Sequence, residues 1–243
     1  MNLLRCMTLA MFPKDTPSSL REGSIIYFAI SALILLISTA IFPLHKRISL
    51  LKHYHEKANA HEEGLVPKDM ARKLWSVLKE TLGMSIGLSM IYICTFIVFP
   101  GTTNHTTLSF ITSPAWLNVF FVTLFNVLDT IGRTMGGIKA FFIPTKLIFV
   151  LTYLRFIFCV TFVAIANKWS PISIFGSDWF KILNFSLFAF TNGYLQTMYC
   201  IFSPKKLSPE KQAVSGILVG IMLSSGVTIG SILELGMSKL IKD

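Results

Sequence analysis

Charge is what this sequence has least of. Only 14% of the 243 residues are Asp, Glu, Lys or Arg, where a soluble domain carries about 25%. Residues 23–45, 81–128, 182–204 and 212–233 contain none of the four, and two further apolar runs flank Arg155. Such gaps exclude a globule that keeps a polar surface in water. Cysteine is also scarce. Cys6, Cys94, Cys159 and Cys200 are scattered, three of them inside apolar runs, which gives neither a disulfide framework nor a metal-ligand spacing. Buried thiols of this kind read as small apolar fillers. No Ser-His-Asp set, no paired histidines with a carboxylate and no glycine-rich phosphate loop is present, so neither catalysis nor a bound cofactor or metal is expected. His53, His55 and His61 cluster in a polar stretch, but adjacent His53 and His55 would point to different helix faces and lack an acidic partner at matching spacing.

What is abundant is hydrocarbon. The chain is 53% hydrophobic with a mean hydropathy of +0.63. A membrane-crossing helix needs about 20 mostly apolar residues, and the charge-free runs reach or exceed that. Continuous apolar runs fit helices, whereas barrel strands would alternate over about ten residues. The expected fold is an all-α integral membrane protein with six transmembrane helices, near 24–44, 81–100, 115–137, 146–166, 179–202 and 210–237. Pro100-Gly101 and the polar run TTNHTT divide the longest charge-free stretch into two of these. Ser113-Pro114 and Ser208-Pro209 read as capping hydroxyls followed by first-turn prolines, with Ser177-Asp178 in a similar role. The expected organisation is a lead-in and first helix over 1–44, a basic loop over 45–80 and a five-helix bundle over 81–243. Arg5 interrupts the apolar start and no small-residue cleavage site follows, so a signal peptide is not expected. In the second part of the loop, Met70, Leu74, Val77 and Leu78 share one side of a helix beside Arg72, Lys73 and Lys79. A helix on the membrane surface and a solvated linker both fit that pattern.

The net charge of +10 is informative once it is divided by loop. With 45–80 facing the cytosol, the inner side holds fourteen Lys and Arg residues. They are Lys46, Arg47, Lys52, Lys57, Lys68, Arg72, Lys73, Lys79, Arg133, Lys139, Lys146, Lys205, Lys206 and Lys211. The outer side holds seven: Arg5, Lys14, Arg21, Lys168, Lys181, Lys239 and Lys242. The positive-inside bias therefore orients the chain and assigns its basic residues to the lipid bilayer. No aromatic-studded basic module suggests nucleic acid. Asn104-His105-Thr106 is a glycosylation acceptor pattern on the outer side, although its closeness to the bilayer argues against its use.

Against this background three polar intrusions stand out. An isolated charge at the bilayer centre costs about 2.5–3.5 kcal/mol on insertion scales, so it needs a partner or a watery lining. In LFNVLDTIGRT, Asp129 and Arg133 are four residues apart and can pair on one helix face, with Asn126 on that same face. Gly132, Gly136 and Gly137 would let a neighbouring backbone approach. Arg155 stands alone in IFVLTYLRFIFCVTFVAI, with Thr152 on its face. It is read as a structural or gating charge, or as the counter-charge that locks Asp129 to a neighbouring span. In FAFTNGYLQTMYC, Asn192, Gln196 and Tyr199 share a face. Helix–helix glue and a polar transport cavity are both open for Asn192 and Gln196; a cavity is favoured for Asp129 and Arg133. Gly83-xxx-Gly87, Gly216-xxx-Gly220 and Gly226-xxx-Gly230 read as packing surfaces, and Glu234 as reaching the outer headgroups.

These residues resemble the equilibrative nucleoside transporters. FNVLDTIGR looks like the family's eighth-helix signature, with Asp129 and Arg133 in the signature positions. TNGYLQTMYCIFSPKKLSPEKQAVSG looks like the tenth helix and the loop after it, and Arg155 falls where the ninth helix carries an arginine. The first span and its exit, YFAISALILLISTAIFPLHKRISLLKHYHEK, are similar to the sixth helix. The resemblance implies a major-facilitator-like fold of eleven helices, of which this chain matches six to eleven. It further implies nucleosides, purine or pyrimidine, or nucleobases, passed down their gradient by alternating access, with Asp129 and Arg133 engaging the ribose hydroxyls. A plasma membrane is expected, with an organellar one as the alternative. Because helices one to five are not matched, the resemblance suggests a truncated or incomplete member, or one that needs a partner chain to supply them. Two other readings are a non-transporting fragment that assembles with and modulates a full-length relative, and proton-coupled uptake with Asp129 as the titrating group.

Overall fold

The computed structural model describes residues 2–11, 17–41, 67–167, 173–237 and 239. The histidines His53, His55 and His61 lie outside them, as does most of the loop expected over 45–80. Among the described residues every regular element is helical, apart from one isolated antiparallel bridge between Leu108 and Ile111. The all-α class expected from the apolar runs is therefore what is found. Two compact units divide the chain between Val66 and Pro67.

The first unit contains α1 (Asn2–Met11) and α2 (Pro17–Ile41). Apolar residues project from all sides of α2, including Phe28, Leu33, Leu35 and Leu36, which is how a helix meets lipid rather than a one-sided core.

The second unit holds α3 (Pro67–Val98), α4 (Pro114–Gly137), α5 (Thr145–Leu154), α6 (Phe156–Ala166), α7 (Asp178–Phe202) and α8 (Pro209–Met237). It begins at Pro67 rather than at 81, because the amphipathic end of the expected loop is continuous with the next span. The backbone leaves helical geometry at Thr81 (φ −112°, ψ 16°) and resumes beyond it. The apolar side of 67–80 does not lie on a membrane surface. Val77, with Met70, Leu74 and Leu78, packs against Leu207, Val214 and Leu218.

Five helical stretches are long and apolar enough to cross a membrane: Arg21–Ile41, Asp69–Val98, Pro114–Gly137, Thr145–Ala166 and Val214–Met237. The sixth expected span, 179–202, is a helix of 25 residues but is not among them. Its interior carries Asn184, Thr191, Asn192, Gln196 and Thr197, and these lower its hydropathy. Within Thr145–Ala166 the helix breaks at Arg155, which joins α5 to α6; there the Phe158 N–H donates to the Arg155 carbonyl at 2.9 Å, a three-residue closure.

Two helix pairs organise the unit, and glycines set the approach in both. A Cβ on Gly226 or Gly230 of α8 would lie 2.7 or 2.8 Å from the Ser89 or Ile93 carbonyl of α3. A Cβ on Gly132 of α4 would lie 2.2 Å from the Phe190 carbonyl of α7, and one on Gly193 would lie 2.0 Å from the Asp129 carbonyl. Only backbone without a side chain fits such crossings. Gly136 also faces α7, whereas Gly137, Gly216 and Gly220 meet nothing within 4 Å among the described residues. The packing role expected for those three is not found, since a small-residue spacing alone does not say which face a neighbour covers. Two of the expected hydroxyl caps do not form: neither Ser113 nor Ser177 makes a side-chain cap bond. Glu234 folds back against Gly101, at the turn after α3. Asn104 lies in the short 3-10 turn Thr102–His105.

Candidate functional site

The α4–α7 crossing brings the polar intrusions together. Asp129 is buried at 8% exposure, and each of its oxygens takes a donor. Arg133 Nε donates to Oδ2 at 2.6 Å, the pairing expected four residues apart on one helix face. Asn192 Nδ2 donates to Oδ1 at 2.7 Å from α7. The missing Cβ of Gly193 is what lets the two backbones come close enough for that bond.

Asn192 is itself held from behind. Its Oδ1 accepts from the Thr95 hydroxyl of α3 at 2.7 Å and, more weakly, from Arg155 Nη2 at 3.4 Å. Arg155 Nη2 also donates to Thr95 Oγ1 at 3.0 Å. Its Nη1 donates to the Phe188 carbonyl at 2.8 Å and to the Thr191 hydroxyl. Its guanidinium stands 5.0 Å from the centre of the Phe188 ring, a cation–π distance. A hydrogen-bonded line thus runs Arg155–Thr95–Asn192–Asp129–Arg133 through α3, α4, α7 and the α5–α6 junction. Each member has at least one partner, as a polar network in a low-dielectric interior needs, while the Arg155 Nε donor has none among the described residues.

The two arginines differ. Arg155 is 2% exposed and faces no carboxylate within ion-pairing distance among the described residues. The alternative in which it is the direct counter-charge of Asp129 is therefore corrected: Thr95 and Asn192 stand between them. The Arg133 side chain is 44% exposed. Its Nε is spent on Asp129, which leaves the Nη donors to face Tyr92 of α3 and the open side. Two cavities, of about 180 and about 110 Å³, lie elsewhere. The first is lined by Thr103, Pro114 and Phe121; the second, by the Thr81 bend, includes Glu80, Thr145 and Ser203.

The remaining sequence candidates fall apart from this line. Asn126 is exposed and donates to the Val122 carbonyl of its own helix at 2.7 Å, with no bond to Asp129. Gln196 is buried, but its Oε1 has no hydrogen-bond partner among the described residues. Tyr199 and Thr152, expected beside Gln196 and Arg155, bond each other at 3.0 Å. Sequence reasoning missed Thr95, which has no charge to betray it in ICTFIV. It also missed the approach of Cys94 to Cys159, since contacts between helices leave no mark on spacing within one.

The geometry is thus a bundle of apolar helices with an ion pair held at a glycine crossing, one arginine open and one dry. A family profile described as "Nucleoside transporter" matches residues 60–237, and the chain belongs to that family, one of transporters and not of enzymes. It is 23% identical over 245 residues to "Equilibrative nucleotide transporter 1" of Arabidopsis thaliana, covering 96% of this chain and 52% of the relative. It is 25% identical over 206 residues to "Equilibrative nucleoside transporter 1" of Rattus norvegicus, covering 77% and 44%. It is 31% identical over 171 residues to "Nucleoside transporter 2" of Leishmania donovani, covering 68% and 32%. The chain spans about half the length of the first two relatives.

Proposed function

We propose that this chain contributes the ribose-binding side of a facilitative nucleoside transporter. The observation that carries the reading is the Asp129–Arg133 pair. It sits on a membrane-spanning helix, held in place by Asn192, with Arg133 turned to the open side. Each carboxylate oxygen has a second lone pair for a vicinal hydroxyl, and the Arg133 Nη donors suit the hydroxyls or the ring oxygen of a furanose. Gln196, with an acceptor left unmatched in a dry place, is the next candidate to meet a polar group of the substrate. Asn192 acts by fixing Asp129, and Arg155 by holding that arrangement from the far side. Asn126 lies on the exposed side of the same helix, where solute passes.

In this reading α7 also crosses the bilayer, making six spans. The 45–80 segment is cytosolic, and the chain resides in the plasma membrane. Since it covers about half of the relatives' length, alternating access requires a further set of helices opposite the open side of Arg133, from another chain or from the same one extended. A fragment that only assembles with a full-length relative is the second reading, favoured by that same coverage.

Uptake of radiolabelled uridine and adenosine distinguishes the two, in transport-deficient cells with surface expression measured. Saturable uptake that disappears in Asp129→Ala and Arg133→Ala supports the first. Surface-expressed chain with no uptake refutes transport by this chain alone and favours the second.

A further inference from the structure

Cys94 of α3 and Cys159 of α6 are distant in sequence, yet their sulfurs lie 3.7 Å apart, both as free thiols. The Cys94 thiol also reaches the Arg155 carbonyl at 3.3 Å. Cys94 is buried and Cys159 partly exposed, so an oxidant arriving from the lipid would meet Cys159 first. Closing the gap to a disulfide bond length of about 2.05 Å asks for a small shift of two side chains on adjacent helices. A pair of thiols so placed, one attackable and one resolving, is the arrangement that oxidation to a disulfide requires.

We propose that Cys94 and Cys159 form an oxidisable dithiol that takes hydroperoxides, the apolar oxidants that arise among lipid acyl chains. In the first step the Cys159 sulfur attacks the terminal peroxide oxygen. The O–O bond breaks, the alcohol leaves with the thiol proton, and Cys159 becomes a sulfenic acid. In the second step the Cys94 sulfur displaces that hydroxyl. Water leaves and the S–S bond forms, so two thiols are oxidised by two electrons and one peroxide is reduced. The disulfide ties α3 to α6 beside the Arg155 break and removes the Cys94 donor from the Arg155 carbonyl. Thr95, the next residue on α3, carries the hydrogen bond to Asn192. Where the transport reading holds, oxidation therefore slows transport by pinning the back of the site.

The test uses the purified chain in liposomes, with diamide as the oxidant. Diamide removes the same two electrons but spares methionine, so cleavage after methionine stays usable. That cleavage separates Cys94 in fragment 91–135 from Cys159 in 136–198, and leaves Cys6 and Cys200 in other fragments. The expected result is loss of maleimide labelling at Cys94 and Cys159 together and a link between those two fragments. Dithiothreitol should reverse it, and Cys94→Ser or Cys159→Ser should abolish it. Persistent labelling of both thiols, or links only to Cys200 or to a second chain, would overturn the dithiol and leave two packed fillers. Uptake is read in parallel. A reversible fall on oxidation, absent in both serine variants, supports the coupling to transport; a link formed with uptake unchanged overturns that coupling. Absence of uptake before oxidation refutes transport by this chain alone and leaves the dithiol judged by the link alone.

Discussion

The α3–α8 and α4–α7 pairs are built by the same device and used differently. In both, glycines bring one backbone against another at distances no side chain would allow. In α3–α8 the glycine contact is filled with neutral bonds, such as the Ser89 hydroxyl to the Met222 carbonyl at 2.8 Å, and an ion pair, Lys211 to Glu80, joins the two helices away from those glycines. In α4–α7 the contact is filled with a carboxylate, a guanidinium and an amide. A neutral hydroxyl suffices to join two helices, so the costlier buried charges in the second pair are where the proposed binding function would lie. Close packing in a membrane is thus a permissive feature, and the chemistry placed at the crossing tells a strut from a site.

If that contrast is right, charges at α4–α7 govern activity and small residues at both crossings govern stability. The largest effect should come from Asp129→Ala and Arg133→Ala. Each is expected to lower uptake about 10- to 100-fold, since a hydrogen bond to a charged group is worth ~1.5–3 kcal/mol. Ser89→Ala at the other pair should leave the uptake rate per surface-expressed chain unchanged. A similar loss in Ser89→Ala would break the contrast.

Next come the glycines. Gly193→Ala and Gly226→Ala should each destabilise the bundle by about 1–3 kcal/mol, the usual cost of overpacking. Gly216→Ala, which meets nothing within 4 Å, should be neutral or stabilising by up to about 1 kcal/mol from helix propensity. Unfolding midpoints in detergent read both. Equal melting of all three variants would show that the crossings are not held by close approach. A smaller effect is expected from Ser89→Ala itself, a loss of about 1 kcal/mol in the same assay.

The smallest effect lies at the loop before α4. There the Ser109 hydroxyl and backbone N–H both bond Asp178, and the hydroxyl does most to hold the Asp178 carboxyl below its ordinary value. A carboxyl lowered in the folded state adds stability above its unfolded pKa and loses it as the pH falls through the folded value. Ser109→Ala should therefore flatten the acid limb of a stability–pH curve, slightly, because the Ser109 backbone N–H and the Lys181 ammonium stay beside the carboxylate. An unchanged acid limb would remove Asp178 as its source.

Where the sequence could be read, the reason was local. The i, i+4 pairing of Asp129 and Arg133 is contained in one helix, and the charge-free runs announce helices without help from the rest of the chain. The all-α fold and the core of the site follow from those two facts. What stayed hidden is what needs two helices at once. Thr95 behind Asn192 and Cys94 beside Cys159 depend on how α3 meets α7 and α6. The face of Gly216 and Gly220 depends on where α3 lies. Arg155 was visible as an anomaly, but its partners were not, because a backbone carbonyl, two hydroxyls and an amide oxygen stand in place of a carboxylate. The membrane-surface reading of 67–80 failed for a related reason: an amphipathic stripe records that one side is apolar, not whether lipid or protein covers it.

The amide of Asn192 has a consequence of its own. Its oxygen faces two donors and its nitrogen faces a carboxylate, so the line of bonds has a direction, as an arrow has. Turned end for end, the amide would set donor against donor on one side and oxygen against carboxylate on the other. Asp and Asn are nearly the same shape, yet an aspartate at 192 would bring two carboxylates within bonding distance. The same change would give buried Arg155 a counter-charge, so it would repel at one end of the line and attract at the other, whereas a leucine would remove a bond from each end.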